Sequence, residues 1–409
     1  MVFQMNRRRA LQLMTTLGTA GLVAGCGSDD ADSDAVPERN RIKIGLIAPE
    51  NGAGKAVGQE ITNGFELYLA LNNQHLGGHP VTLEKRDEGE TAKTGQAAVN
   101  DLLKQGVLAL TGVANPAVIS GIRDTVEQAK VPLVGSNASP VSLQSVVYIW
   151  RTSYVLDEPG RALAVYLKER MPTGSRITVI APESSASLDV VQGFRQAFGN
   201  DDPRIADETI WTTAKTNPGD SDFAPHIRQA IDRDPDALVG HFAGPAAIQF
   251  IRQLRRNRPA YQGPLYAPGF LTEGNVLNEV RGVLLDGDDN LLPGSIHTVS
   301  NYSVDLNNSA NRVFAAAYRK MYSSSPTTYA MASYDAAQVL DKALRIAGPN
   351  PSPQVLNLAI GKIGQIDSPR GVWQFNQPRT PQQKWYLRSV QLDGRLLSNV
   401  MINEVATLG

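Results

Sequence analysis

The sequence predicts an α/β protein built as two lobes, and three observations carry that reading. Apolar runs of strand length alternate with segments of helical periodicity from Arg41 onward. Loops of small, hydroxyl- and amide-bearing residues follow two of those runs, as ligand loops follow strands in open parallel sheets. The strand–helix pairs along 409 residues outnumber what one open sheet holds, so the chain divides into two. A net charge of −1 and a hydrophobic content of 42% are those of an ordinary globular protein. No basic stripe marks a nucleic-acid partner.

The first 26 residues stand apart. Arg7-Arg8-Arg9 give a positive start, Ala10 to Val23 an apolar stretch, and Val23-Ala24-Gly25-Cys26 the close. The stretch is too short and too weakly apolar for a membrane span, and its layout is that of an export signal. Small residues before a cysteine resemble the lipobox of bacterial lipoproteins, which makes Cys26 the expected lipidation site. Arg8-Arg9-Ala10-Leu11 resembles a twin-arginine signal more weakly. Cys26 is the only cysteine, so no intramolecular disulfide forms. Residues 27–40 are acidic and poor in apolar side chains, as expected of a flexible tether.

The α/β region opens with a continuous apolar strand at Ile42–Ala48 and a helix marked by Ile61, Phe65 and Tyr68. A strand at Val81–Arg86 and a helix through Ala98 and Leu102 follow. The most informative stretch runs from Val107 to Pro140 and reads strand, loop, helix, strand, loop. Asn115 stands at the N-cap and Pro116 at the first helical position, with Val118, Ile122 and Val126 on one face. Such a helix directs unpaired N–H groups and the positive end of its dipole beyond the strand. The second loop, Gly135 to Ser139, follows Leu133-Val134. Together the loops read as half of a site for a small anion such as a carboxylate, or equally as two ordinary βα turns.

Val147–Arg151 is the next strand, and a helix near Pro159 ends close to Arg170. Strands at Ile177–Ala181, Ala237–His241 and Pro264–Tyr266 alternate with helical patterns at Gly193–Phe198, Phe223–Ile231 and Ala246–Leu254. Helices at Ala310–Met321 and Tyr334–Ala347 precede two closing strands, Gly371–Phe375 and Tyr386–Leu392.

Several chemical motifs fail on inspection. Asn51 to Ala56 has glycines after a strand, but a phosphate loop needs glycine at Pro49 and a hydroxyl residue at Ala56. The dinucleotide fingerprint puts its third glycine one place late, at Gly58. Asp286, Asp288 and Asn290 imitate the start of a calcium loop whose turn glycine and closing glutamate are absent. The five histidines are scattered, and no G-x-S-x-G elbow occurs. The sequence nominates no cofactor, no metal and no catalytic residue.

A set of ordered segments carries a family resemblance. It includes Ile42-Lys43-Ile44-Gly45, Asn63-Gly64-Phe65-Glu66, Val131-Pro132-Leu133, Ser136-Asn137-Ala138-Ser139-Pro140 and Trp150-Arg151-Thr152. Gly219-Asp220-Ser221-Asp222-Phe223, Asp234-Pro235-Asp236-Ala237, Phe250-Ile251-Arg252-Gln253, Ser333-Tyr334-Asp335-Ala336-Ala337 and Ser368-Pro369-Arg370-Gly371 continue it. From Arg41 to about Ile402 the chain resembles the type I periplasmic solute-binding proteins of ABC importers, in the leucine/isoleucine/valine-binding branch. The resemblance implies two Rossmann-like lobes joined by a three-crossing hinge, with the ligand enclosed between them. The crossings are expected near Arg151, Leu292 and Gly348. Lobe 1 is then 41–151 with 293–348, and lobe 2 is 152–292 with 349–409.

The resemblance also implies site residues. Ser139 matches a carboxylate-binding hydroxyl, Asn137 a backbone contact, and Ala114 and Asn115 the first loop, where relatives carry a serine. Ala186 and Val57 stand at pocket positions that are often aromatic, and Phe242 or Ala243 at another lining position. Gly269 replaces the acid that holds an α-ammonium, so an organic acid is favoured over a plain amino acid unless Glu183 or Glu273 reaches in. The function expected is an extracytoplasmic, lipid-anchored monomer that passes a small carboxylate-bearing solute to an ABC permease and its ATPase. A ligand-sensing receptor of the same fold and an α/β enzyme are the alternatives.

Overall fold

In the computed structural model, residues 39–137, 139–213, 220–256 and 260–409 are described. The expected signal segment with Cys26, and the tether up to residue 38, lie outside them.

The first sheet has six strands in the order β2-β3-β1-β4-β5-β6. β1 (Ile42–Ala48) is buried along nearly its whole length, which explains its unbroken apolar run. It pairs in parallel with β3 (His79–Asp87) and with β4 (Ala109–Gly112). β5 (Leu133–Gly135) and β6 (Ile149–Arg151) continue the parallel order. β2 (His75–Leu76) is a short antiparallel edge. Helices α1 (Lys55–Leu71), α2 (Ala92–Lys104) and α3 (Pro116–Ala129) connect these strands. At Gly45 a Cβ would come within 2.8 Å of Leu102, so α2 seats against the centre of the sheet only because that position has no side chain.

Beyond Arg151 the chain enters α4 (Glu158–Arg170), which packs on α5 (Ser185–Phe198). The second sheet runs β12-β13-β14-β11-β10-β9-β7-β8, with β15 paired to β14. Its parallel part comprises β7 (Ile177–Pro182), β8 (Ile210–Thr212), β9 (Ala237–Gly240), β10 (Leu265–Pro268) and β11 (Ile296–Ser300). Helices α6 (Ala224–Ile231), α7 (Gly244–Arg256) and α8 (Val276–Leu284) belong to this part.

Two expected boundaries need correction. β11 lies between β10 and β14, so residues 296–300 belong to the second sheet rather than to lobe 1. After β11 the chain forms α9 (Ser309–Tyr322) and α10 (Thr328–Ala347), whose Phe314, Tyr318 and Met331 share a core with Leu67 of α1. The chain does not leave that lobe at Gly348. Helix α11 (Pro353–Ile360) packs back on α10, and Asn357 Oδ1 accepts from the indole N–H of Trp150 at 2.8 Å. β12 (Ile366–Ser368) and β13 (Gly371–Phe375) follow, and β14 (Pro381–Asp393) rejoins the second sheet antiparallel to β11.

β14 turns into β15 (Leu396–Leu408) through Gly394-Arg395, with Gly394 at φ +61°. β15 is a strand beyond Tyr386–Leu392, the segment expected to close the chain. Asp393-Gly394 between apolar alternations is a hairpin signal that pointed to it.

Candidate functional site

The carboxyl ends of both parallel sheets face one cleft, a cavity of about 430 Å³. Pro49 to Val57 after β1, Glu88 to Glu90 after β3, Ala114 to Pro116 after β4 and Asn137 after β5 contribute to one wall. Ala186 at the start of α5, His241 and Ala243 after β9, and Phe270 after β10 contribute to the other, with Leu156 and Tyr329 completing the lining. This is the position at which open α/β sheets hold ligands, reached here from two sheets at once.

The first loop is held in a strained conformation. Val113, a β-branched residue, adopts φ +63°, and its N–H donates to Ile47 O at 2.6 Å. That turn aims the next two N–H groups sideways rather than into open space. Ala114 N–H donates to Glu88 Oε2 at 2.7 Å, and Asn115 N–H to Glu88 Oε1 at 2.9 Å. Asn115 caps α3 as its sequence position predicts, with its Oδ1 accepting from Ala117 N–H at 2.9 Å. The expectation of free donors at this helix start is therefore corrected. The two N–H groups of the loop already hold a carboxyl group, and it belongs to the protein.

Glu88 is 1% exposed, and burial pushes its carboxyl up to about 7. The Ala114 and Asn115 N–H groups act in the opposite direction, and neighbouring Asp87 reinforces the rise. Asp87 has a different task. It accepts from Glu50 N–H, Gly89 N–H and Asn51 Nδ2, and those bonds hold its own carboxyl low while tying the β1 and β3 loops together. The second loop is tied to the first by Asn137 Nδ2, which donates to Ala114 O at 2.6 Å.

On the opposite wall His241 is largely buried, and burial lowers its imidazole to about 4, so it is neutral at physiological pH. Its Nδ1 lies 2.9 Å from Ser187 Oγ, which in turn meets Ser184 Oγ at 2.9 Å. No described residue hydrogen-bonds Nε2. The ring contacts Phe270 edge-on, and Phe270 stacks on Tyr329 with centroids 6.0 Å apart. The site offers a carboxylate on one side, a neutral imidazole on the other, and apolar or aromatic surface between.

Of the residues expected from sequence, Ala114, Asn115, Asn137 and Ala186 line the cavity, as do Val57 and Ala243. Three do not. Ser139 is sealed against the crossing segment: its N–H donates to Tyr154 O at 2.9 Å, its C=O accepts from Leu156 N–H at 2.9 Å, and its Oγ is buried without a partner. Phe242 belongs to the lobe core, stacked on Phe250 with centroids 3.9 Å apart. At Gly269 a Cβ would lie 2.9 Å from Arg388 Nη2 and 3.1 Å from Ser300 Cβ, so the position serves close packing of β10 on β11 and β14. Neither alternative acid reaches in. Glu273 is buried but paired with Arg388 at 2.6 Å, and Glu183 is exposed. Glu88 was the acid to find. Its signal was the run Asp87-Glu88-Gly89-Glu90 at the carboxyl end of a buried parallel strand, where polar residues face the ligand cleft.

Comparison with known proteins places these features in a family. The family model described as periplasmic binding protein matches residues 41–395. A protein described as Leu/Ile/Val-binding protein homolog 6, from Brucella melitensis, is 24% identical over 358 residues, spanning 85% of this chain and 87% of the relative. Among solved structures, an ABC transporter solute-binding protein from R. palustris in complex with benzoate aligns with a TM-score of 0.78 and 23% identity, covering 90% of this chain and 97% of that one. A branched-chain amino acid transporter substrate-binding protein from Streptococcus pneumoniae, in complex with isoleucine, aligns with a TM-score of 0.74 and 17% identity, covering 88% and 99%. The two-lobed α/β fold is thus the type I fold of these proteins.

Proposed function

The chain belongs to the periplasmic binding protein family, and on that premise we propose that it is the extracytoplasmic capture component of an ABC importer. It encloses a small organic solute between its lobes and presents the closed form to a permease and its ATPase. One observation supports this above the others: loops at the carboxyl ends of two separate parallel sheets line a single cavity of about 430 Å³, large enough for a ligand of amino-acid or single-ring size. The interlobe chain crossings supply the hinge such closure needs.

The neighbours hold benzoate and isoleucine, both carboxylates. A carboxylate-bearing solute is accordingly the first class to screen. In this chain such a ligand either displaces Glu88 from the Ala114 and Asn115 N–H groups or places its carboxylate elsewhere in the cleft. Lipidation at Cys26 places the protein on the outer face of the cytoplasmic membrane in this reading, with residues 27–40 as tether and the monomer as working unit. Exchange of Cys26 for serine is expected to release it from the membrane fraction.

The test is a thermal-shift screen against amino acids, aromatic acids, amines and short amides. A ligand at 100 times its dissociation constant adds about 2.7 kcal/mol of stability, a clear shift in midpoint. A positive ligand should also reduce the radius measured by solution scattering. A wide screen without a hit, or a hit that leaves the scattering profile unchanged, removes the capture reading.

A further inference from the structure

We propose that the anion subsite at the first loop is inverted in this protein: Glu88 fills it permanently, and the cleft recognises its solute by a protonated amine or an equivalent donor group set against Glu88, with no carboxylate required. The inference rests on the solute-capture reading above and specifies what that site takes. Its basis is the pairing of Glu88 with two successive main-chain N–H groups at 2.7 and 2.9 Å. Both carboxylate oxygens are held by the wall, so the group is oriented, and swinging away would give up two hydrogen bonds from half-buried main-chain donors. A carboxylate so fixed keeps lone pairs for further donors, and Glu88 lies on the cavity lining.

The remaining surroundings agree. Glu90 lines the same cavity, Asp87 precedes Glu88 in sequence, and the facing wall contributes His241, which is neutral. Each leaves the charge of Glu88 for the ligand to satisfy. A ligand carboxylate placed near the Ala114 loop would meet the Glu88 carboxylate at short range, and two like charges held that close repel. The body of the solute is apolar and of chain or single-ring size, because Val57, Leu156, Ala186, Phe270 and Tyr329 form the surface it meets.

Because burial raises the Glu88 carboxyl to about 7, an ammonium that holds it ionised also drives off its proton. Amine binding is therefore tighter at pH 8 than at pH 6 and releases up to about one proton, visible as a buffer-dependent heat. An acid bound at the same place has the opposite dependence.

The experiment is calorimetric titration of the full chain with five probes: 3-methylbutylamine, leucine, 4-methyl-2-oxopentanoate, benzylamine and benzoate. The amine-bearing probes are expected to bind at least about tenfold more tightly than the acids of matching body, which is the effect of one charge-assisted hydrogen bond. Glu88→Gln is expected to weaken the amines about ten- to hundredfold and to abolish the proton release, leaving the acids unchanged or tighter. Where Glu88→Gln does not fold, Glu88→Asp keeps the charge on a shorter arm and is expected to weaken amine binding while preserving proton release. Tight binding of benzoate or 4-methyl-2-oxopentanoate that improves at low pH would show Glu88 to be a displaceable plug and overturn the proposal. Absence of binding by all five probes also overturns it, whereas only the wide solute screen bears on the capture reading itself.

Discussion

The guanidinium of Arg370 lies 3.1 Å from the carboxylate of Asp335, with the two side chains 1% and 0% exposed. Around this pair the chain knots its crossings. Arg370 donates to Thr152 O at 2.6 Å and to Gln383 Oε1, and Gln383 Nε2 donates to Ser153 O at 2.8 Å. Asp335 also accepts from Ser368 Oγ and from the indole N–H of Trp373. One ion pair thereby joins α10, the segment after β6 and the start of β14. Two of the crossing segments between the lobes meet here, so the pair sets where the hinge is stiff.

Removing one partner of such a pair leaves a charge buried without compensation. Arg370→Ala is expected to destabilise by about 3–5 kcal/mol, measured by urea unfolding, because Asp335 loses its counter-ion while staying enclosed. The double variant Arg370→Met with Asp335→Leu is expected to recover most of that loss. Recovery would show that the single-variant cost came from the orphaned charge.

Ser139→Ala carries an expectation opposite to the one its sequence position implied. Both main-chain groups of Ser139 are engaged by Tyr154 and Leu156, and its hydroxyl is buried without a partner. Losing that hydroxyl removes a desolvated polar atom. Stability should stay level or rise by up to about 1 kcal/mol, and solute affinity should stay within about twofold of wild type. A tenfold loss of affinity would return Ser139 to the binding site.

Phe242→Ala should separate packing from recognition. The ring is enclosed by Phe250 and Phe223, while its two neighbours His241 and Ala243 line the cleft. The variant is expected to lose about 3–5 kcal/mol of stability. Affinity at a temperature where the variant stays folded should be little changed.

The α/β class and the main parallel strands were legible because buried parallel strands are continuous apolar runs, as in Ile42–Ala48. The cap at Asn115 was legible for an equally local reason: side chain, proline and helix start sit within three residues. The boundaries at Leu292 and Gly348 were not, because whether β11 joins one sheet or the other, and whether α11 folds back on α10, depends on partners far along the chain. The site divided in the same way. Loops could be assigned from strand ends, but the bond between Glu88 and Ala114 spans 26 residues, and no spacing rule encodes it. Ser139 and Gly269 lie off the cavity because long-range packing claims them, Ser139 against Tyr154 and Leu156 and Gly269 against Arg388 and Ser300, and no local spacing encodes those contacts.

Without any ligand, stability depends on pH through Glu88. The Glu88 carboxyl rises from 4.5 to about 7 on folding, because burial outweighs its two N–H bonds. The unfolded chain therefore ionises first as pH climbs. The stability tied to this group is fully present below about pH 4.5 and is lost as pH rises through about 7. A shift of that size corresponds to at most about 3 kcal/mol, an upper bound given that the cleft admits solvent. His241 acts in the other direction: its folded value near 4 makes its contribution present above 6.5 and lost as pH falls. The two overlap between pH 4.5 and 6.5 and oppose one another there, so the Glu88 effect stands clear between 6.5 and 8. Urea unfolding across that window should show wild type losing stability with rising pH more steeply than Glu88→Gln. Parallel profiles for the two proteins would mean that Glu88 is already ionised in the folded chain at pH 6, held so by Ala114 and Asn115.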